Sequence, residues 1–167
     1  MGFAHGDATP GSITADEYLQ RTKMASKQEL EQIDDRGISA WTSHDADAFL
    51  ALFADSFVWH DWTLPQPIRD REGARRYFSS WATAFPDMNV QIVSRVVGDD
   101  AVACEIAFTG TNTGPMEMGG NQIPPTNRQV AGRGSYIARV RDGKIVEFRS
   151  CPDVGGMMMQ LGMMPPM

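Results

Sequence analysis

Val130-Ala-Gly-Arg-Gly-Ser-Tyr-Ile-Ala-Arg139 is followed by Val140-Arg-Asp-Gly-Lys144 and then by Ile145-Val-Glu-Phe-Arg-Ser150. The two flanking runs are rich in β-branched and aromatic residues, and Asp142-Gly143 lies between them. Asp-Gly in that setting is a strong signal for a tight hairpin, because both turn residues must take positive φ. A long strand from Arg128 or Val130 to Arg139 and a last strand from Ile145 to Ser150 are therefore expected. Working backwards, Ala101 to Phe108 alternates cleanly. Val102, Cys104, Ile106 and Phe108 share one face, and Ala103, Glu105 and Ala107 take the other. Gly98-Asp-Asp100 is a turn signal. Before it, Val90 to Val97 places Val90, Ile92 and Ser94 against Gln91, Val93 and Arg95. The second half of the chain thus reads as four strands in antiparallel succession.

The first half reads differently. Ser26 and Glu29 have capping-box spacing. Leu30, Ile33, Ile38 and Trp41 then recur at helical intervals as far as Ser43, although Gly37 weakens the run. An earlier helical pattern starts at Ser12 or Thr14, with Asp16 and Glu17 in its first turn. The two runs form one long helix or two short ones. Ala46 to Phe53 is a further short helical run, apolar at Phe49, Leu50 and Phe53, with Asp45 or Asp47 as its cap. Phe57-Val-Trp-His60 reads as a short strand, so Trp59 and Asp61 face one way and His60 and Trp62 the other. After a loop at Pro65 and Pro67, Tyr77, Phe78, Trp81 and Phe85 supply the apolar stripe of a helix from Gly73 to Ala84. Phe85-Pro-Asp87 stops it. The order implies an α+β domain, with helices on one face of a strongly curved, mostly antiparallel sheet that encloses a cone. The expected division is an N-terminal extension at 1–25, partly helical, a single domain at 26–164 and a tail at 165–167.

Bulk properties narrow the function. At 167 residues the chain can bury a substantial core, and 42% hydrophobic with 22% charged residues is ordinary globular composition. The formal net charge of -6 argues against a nucleic-acid partner, which requires a basic surface. No stretch reaches the length needed to span a membrane, and the N-terminus lacks signal-peptide form, so a cytoplasmic location is expected. A bridge between the two cysteines, Cys104 and Cys151, would need neighbouring strands; both read as reduced core or pocket residues.

Two clusters could carry chemistry. Asp153 stands between Pro152 and Gly155-Gly156, ahead of the apolar run Met157–Leu161. A carboxylate desolvated by such surroundings becomes a better base for a weakly acidic C–H. The same local pattern also fits the N-cap of a short C-terminal helix. His60 and Asp61 lie between Trp59 and Trp62, which could line a pocket for a flat ligand. His60 equally suits a satisfied core histidine. Trp41 and Met157 add apolar pocket wall. Glu105, set among small residues, and Arg133 are candidate polar pocket groups, and alternation puts Cys151 on the side of Asp153. The spacing of Cys104, Cys151, His60 and Asp153 does not support a metal site. A phosphate loop, a dinucleotide fingerprint and a serine-hydrolase elbow are all missing from the sequence.

The ordered set of motifs resembles the SnoaL-like polyketide cyclases, or ester cyclases, of the NTF2-like superfamily. The resemblance runs from about Ser26 to Met164. It rests on Phe57-Val-Trp-His60, Arg71-Glu-Gly73, Phe85-Pro-Asp87, Gly98-Asp-Asp100 and Phe108-Thr-Gly-Thr-Asn-Thr-Gly114. Ile123-Pro-Pro-Thr126, Arg141-Asp-Gly-Lys-Ile-Val-Glu147, Asp153 and Gln160-Leu-Gly162 complete it. It implies a cone-shaped α+β barrel, and an enzyme that closes a ring by intramolecular aldol addition without metal or cofactor. One aspartate at the end of the last long strand acts as acid/base in that family, and its position matches Asp153. A histidine after the first strand matches His60. Asn112 stands where the family usually has histidine and is expected to alter pocket polarity.

The expected function is thus a cofactor-independent cyclase or isomerase-type lyase acting on a small hydrophobic carbonyl compound, assembled as a homodimer. The alternatives are a hydrolase of epoxides or esters that uses Asp153 with His60 or Asp61 to activate water, and a noncatalytic small-ligand binder. A cyclase needs Asp153 facing an apolar cavity. A binder would have it engaged by backbone N–H groups.

Overall fold

The computed structural model describes residues 26–118 and 121–164. Helix α1 (Lys27–Thr42) begins with the expected capping box: Ser26 Oγ accepts from Glu29 N at 3.2 Å, and Glu29 Oε2 accepts from Ser26 N at 2.7 Å. The helical run expected upstream of it lies outside the described residues. Helix α2 (Ala46–Leu50) is capped by Asp45, which accepts from Ala48 N at 2.8 Å. It ends earlier than expected because Phe53 already belongs to strand β1 (Phe53–Asp61). Helix α3 (Arg71–Ala84) starts at the Asp70 cap and ends at Phe85-Pro86, as the stop signal predicts.

The strands that follow are β2 (Asn89–Val97), β3 (Ala101–Thr111), the short pair β4 (Met116–Met118) and β5 (Asn121–Ile123), then β6 (Gln129–Arg141) and β7 (Lys144–Pro152). Helix α4 (Val154–Gln160) comes last. The main sheet has the order β1-β7-β6-β3-β2. β2, β3, β6 and β7 pair antiparallel, as expected, while β1 pairs parallel to β7. In the β6–β7 turn Asp142 and Gly143 have φ of 51° and 71°, the left-handed geometry that Asp-Gly supplies at low cost. The architecture is the α+β fold read from the sequence: helices packed on one face of a curved sheet.

Two irregularities change which side chains face inward. β2 shifts register against β3 between Ile92 and Ser94. Strict alternation puts Arg95 outside with Gln91 and Val93, but the bulge turns it inward, opposite Cys104. A second shift between Arg139 and Val140 lets both Ile145 and Phe148 of β7 be buried. β6 lies between β3 and β7, so Cys104 and Cys151 are not on neighbouring strands; both are free.

The enclosed face forms a core in two parts. One is aromatic, built on Phe49, Phe53, Trp59, Phe78 and Phe148. The other gathers Phe85, Met88, Phe108, Met116, Val130, Met157 and Leu161. α4 covers this second part and packs against β6.

Candidate functional site

Between α1, α3 and the inner face of the sheet lies a cavity of about 110 Å³. Its wall is mostly apolar, with Trp41, Phe49, Trp59, Tyr77, Trp81 and Phe148 set among aliphatic residues that include Leu30, Ile33, Ile38 and Met88. Helical spacing brings Tyr77 and Trp81 to one face of α3, and strand alternation brings Trp59 and Asp61 to the inside of β1. Against this apolar wall two carboxylates stand out, and their settings differ.

Asp61 ends β1 and is 6% exposed. One carboxylate oxygen accepts from Thr63 N at 2.9 Å and from Thr63 Oγ1 at 2.5 Å. The other accepts from the Ser150 hydroxyl on β7, and Ser150 Oγ in turn accepts from Trp59 Nε1 at 2.8 Å. The parallel register of β1 and β7, which pairs Asp61 with Ser150, makes this possible. The partners of Asp61 are thus hydroxyls and a backbone amide. The Tyr77 hydroxyl lies 3.4 Å from Thr63 Oγ1. Burial, reinforced by the negative charge of Asp61, pushes the Tyr77 phenol well above its ordinary range, so it remains a hydrogen-bond donor.

Asp34, on the buried side of α1, meets the other kind of surroundings. Tyr136 of β6 donates its hydroxyl to one oxygen. At the other oxygen, Cys104 Sγ donates at 3.3 Å and Arg95 Nη2 lies at 2.6 Å. Arg95 also bonds Asp35 at 2.5 Å. Burial, with the adjacent Asp34 charge, raises the Tyr136 phenol and the Cys104 thiol above their ordinary values. Asp34 is therefore an anchor that ties α1 to β2, β3 and β6.

Of the residues singled out from the sequence, Trp41, Trp59 and Asp61 line the cavity. The others lie elsewhere. His60 alternates with Trp59 and Asp61 and faces the opposite side of the sheet, where Nε2 is 4.0 Å from Glu147. Trp62 is 78% exposed. Glu105 and Arg133 pair at 2.7 Å on the outer face, and Cys151 is exposed. Asn112 is fully buried, but as a loop clamp: its amide donates to Ala84 O and Gly114 O at 3.2 and 2.9 Å, and its oxygen accepts from Thr126 N at 2.8 Å. Met157 is the buried residue of α4 and packs in the second part of the core rather than at the cavity. Asp153 is exposed and caps α4, accepting from Gly156 N at 2.8 Å. Alternation from the inward-facing Ser150 and Pro152 carries it away from the cavity, whose lining ends at Pro152 on this strand.

The sequence reading missed Asp34, Tyr77, Tyr136 and Ser150 as cavity groups. Asp34 had a signal: it falls four residues after Leu30 on the apolar face of α1, where a carboxylate is out of place. Tyr77 was placed on the apolar stripe of α3 and counted there as core, whereas Tyr136 lies on a strand whose faces were not assigned. Ser150 needed the β1–β7 pairing, which is not a local property.

The model of the SnoaL-like polyketide cyclase family matches residues 31–161. The chain belongs to that family. No curated protein matches the sequence at a significant level. Among solved structures, AclR of Streptomyces galilaeus, a proposed hydroxylase, superposes with a TM-score of 0.74 at 22% identity, covering 85% of this chain and 86% of AclR. A proposed SnoaL-like polyketide cyclase from Jannaschia sp. CCS1 gives 0.72 at 20% identity, covering 83% and 94%. IdmH of Streptomyces antibioticus, a proposed polyketide cyclase, gives 0.67 at 29% identity, covering 80% and 98%. The first two matches establish a shared fold only. Family membership supports catalysis of the cyclase or isomerase type on a small hydrophobic substrate. Among the described residues, no helix is long and apolar enough to cross a membrane, and no three His, Cys, Asp or Glu side chains are grouped as a metal centre would need.

Proposed function

We propose that this SnoaL-like protein is a cofactor-independent cyclase or isomerase-type lyase that performs aldol or enolisation chemistry on a hydrophobic carbonyl compound, with Asp61 as its general acid/base. The observation that carries this is the buried carboxylate of Asp61 in an apolar wall, held by neutral donors beside a phenol that keeps its proton.

Asp61 takes a proton from the carbon next to the substrate carbonyl. The electron pair moves onto the carbonyl oxygen, and the enolate oxygen accepts a hydrogen bond from Tyr77. In an isomerisation Asp61 returns the proton to another carbon. In an aldol closure the enolate carbon attacks a second carbonyl of the same molecule, and Asp61 returns the proton to the new alkoxide. Thr63 and Ser150 fix the orientation of the carboxylate, and the apolar wall excludes competing water. On this proposal Asp153 is a helix cap engaged by a backbone N–H, the arrangement expected of a noncatalytic binder, and His60 lies on the outer face 4.0 Å from Glu147, so the cyclase reading rests on Asp61 in place of Asp153. The hydrolase alternative loses support, because Asp153 and His60 do not converge with Asp61 on one water position.

The test is proton exchange at the α-carbon of 1-tetralone in deuterated water, followed by NMR. The protein is expected to accelerate exchange, and Asp61→Asn to lower the catalysed rate by roughly 10²–10⁴-fold, the usual share of a positioned acid/base. Asp153→Asn is expected to retain it. Full exchange in Asp61→Asn, or its loss in Asp153→Asn with the fold intact, would return the role to Asp153.

A further inference from the structure

We propose that the substrate is compact, a one-ring or fused two-ring ketone with a single polar edge, and that the closely packed rings at the two ends of the cavity exclude larger ring systems. The carbonyl in this statement rests on the function proposed above; the size limit rests on the cavity alone.

The volume comes first. The cavity measures about 110 Å³. An apolar cavity of about 150 Å³ is known to hold benzene, whereas pockets for larger ligands run to roughly 300–1,000 Å³. On that scale the space is of one-ring size, and a second ring has to project toward the opening.

The walls explain why this limit resists induced fit. At one end the Phe108 ring lies directly over Gly132, its partner across β3 and β6. A Cβ at position 132 would stand 2.3 Å from that ring, so glycine is what seats it there. Trp81 meets Phe108 edge-on at 6.4 Å and stacks on Phe85 at 6.1 Å, so the three rings pack as a group. At the other end Phe148 is wedged between Trp59 at 5.4 Å and Tyr136 at 5.2 Å. Packed rings have few rotamers and little adjacent void, so these two ends yield less than the aliphatic part of the wall, which includes Leu30, Ile33, Ile38 and Met88.

Polarity supplies the second constraint. The Asp34 carboxylate is engaged by Arg95, Cys104 and Tyr136. Asp61 is held as well, but by neutral donors and with the Tyr77 phenol close by, so the reading of ligand polarity falls to the Asp61 and Tyr77 side. A compound with polar groups at both ends would leave one of them against an apolar or fully engaged wall, which costs the desolvation of that group.

The experiment uses the full chain and three ketones of increasing size: acetophenone, 1-tetralone and 9-fluorenone. Binding is followed by calorimetry and by quenching of tryptophan fluorescence, since Trp41, Trp59 and Trp81 border the cavity. Saturable binding of acetophenone and 1-tetralone is expected, with 9-fluorenone at least about tenfold weaker, a difference of about 1.4 kcal/mol. Trp81→Ala is expected to narrow that gap by admitting the third ring. Binding of 9-fluorenone as tight as that of 1-tetralone, or no saturable binding of either smaller ketone, would overturn the size limit. The wild-type series decides even where Trp81→Ala does not fold. Asp61→Asn is expected to keep the size ranking while losing proton exchange, so failure of the size limit and failure of the Asp61 chemistry give different results.

Discussion

Asp34 and Asp61 are both buried carboxylates bordering one cavity, yet their partners predict opposite consequences of mutation. Asp34 lies 2.6 Å from a guanidinium and is also bonded by a thiol and a phenol. Removing its charge leaves Arg95, whose side chain is only 20% exposed, with Asp35 as its carboxylate partner. Asp34→Asn is therefore expected to lower stability by about 3 kcal/mol, near the lower end for a broken buried pair. Urea unfolding measures it as a shift in midpoint without a change in slope. Asp61 is held by hydroxyls and an amide, and no cation depends on it. Asp61→Asn can keep the bonds from Thr63 and Ser150 in altered polarity, so it is expected to fold and to lose proton exchange. If Asp34→Asn instead abolished exchange at unchanged stability, the roles of the two carboxylates would have to be interchanged.

At the scale of elements, α4 decides how Asp153 is understood. The helix is seven residues long, includes Gly155 and Gly156, and depends on its cap and on buried Met157 for its position. Asp153→Ala is expected to cost about 1 kcal/mol, the usual value of an N-cap, and to increase amide exchange in Val154–Gln160. An unchanged melting temperature and unchanged protection of that segment would show that the cap contributes nothing. Hairpins, helix caps and the alternation of β1 and β3 were legible in the sequence because each depends on local chemistry: Asp142-Gly143, Ser26 with Glu29, Trp59 and Asp61 sharing one face. The bulge that turns Arg95 inward was not, since one extra residue reverses face assignment without leaving a mark in composition. The parallel pairing of β1 with β7 was not legible either, and it alone brings Ser150 to Asp61. Asp153 was expected at the cavity from its place in the chain, which is right for a strand-end carboxylate, but the alternation after Ser150 sends it out of the cavity.

For the molecule as a whole, the cavity groups couple folding to alkaline pH. Burial, then the charges of Asp61 and Asp34 respectively, raise the Tyr77 and Tyr136 phenols above their ordinary value of 10.0, and burial raises the Cys104 thiol above 9.0. In each case the folded state holds a proton that the unfolded state releases. Their contribution is fully present below the unfolded values and is lost as pH rises past them. The loss begins near pH 9 with the thiol and steepens above pH 10, where each phenol removes about 1.4 kcal/mol per pH unit. Two phenols together consume several kcal/mol within roughly two pH units, comparable to the whole stability of a typical domain, about 5–15 kcal/mol. Cooperative unfolding is therefore expected in moderately strong alkali, with tyrosinate absorbance from Tyr77 and Tyr136 appearing at the same pH as the loss of circular dichroism. Phenylalanine at either position removes one titrating group and should weaken the dependence of stability on pH above 10, whatever it does to stability at neutral pH. Tyr136→Phe also takes a donor from Asp34, so its neutral-pH stability should fall while its alkaline slope flattens. Tyr77→Phe, whose hydroxyl has only a 3.4 Å contact to Thr63, should flatten the slope with little loss at neutral pH. Tyrosinate formation well below the unfolding pH in the native protein would mean that water reaches these phenols, and with it the Asp61 side of the cavity.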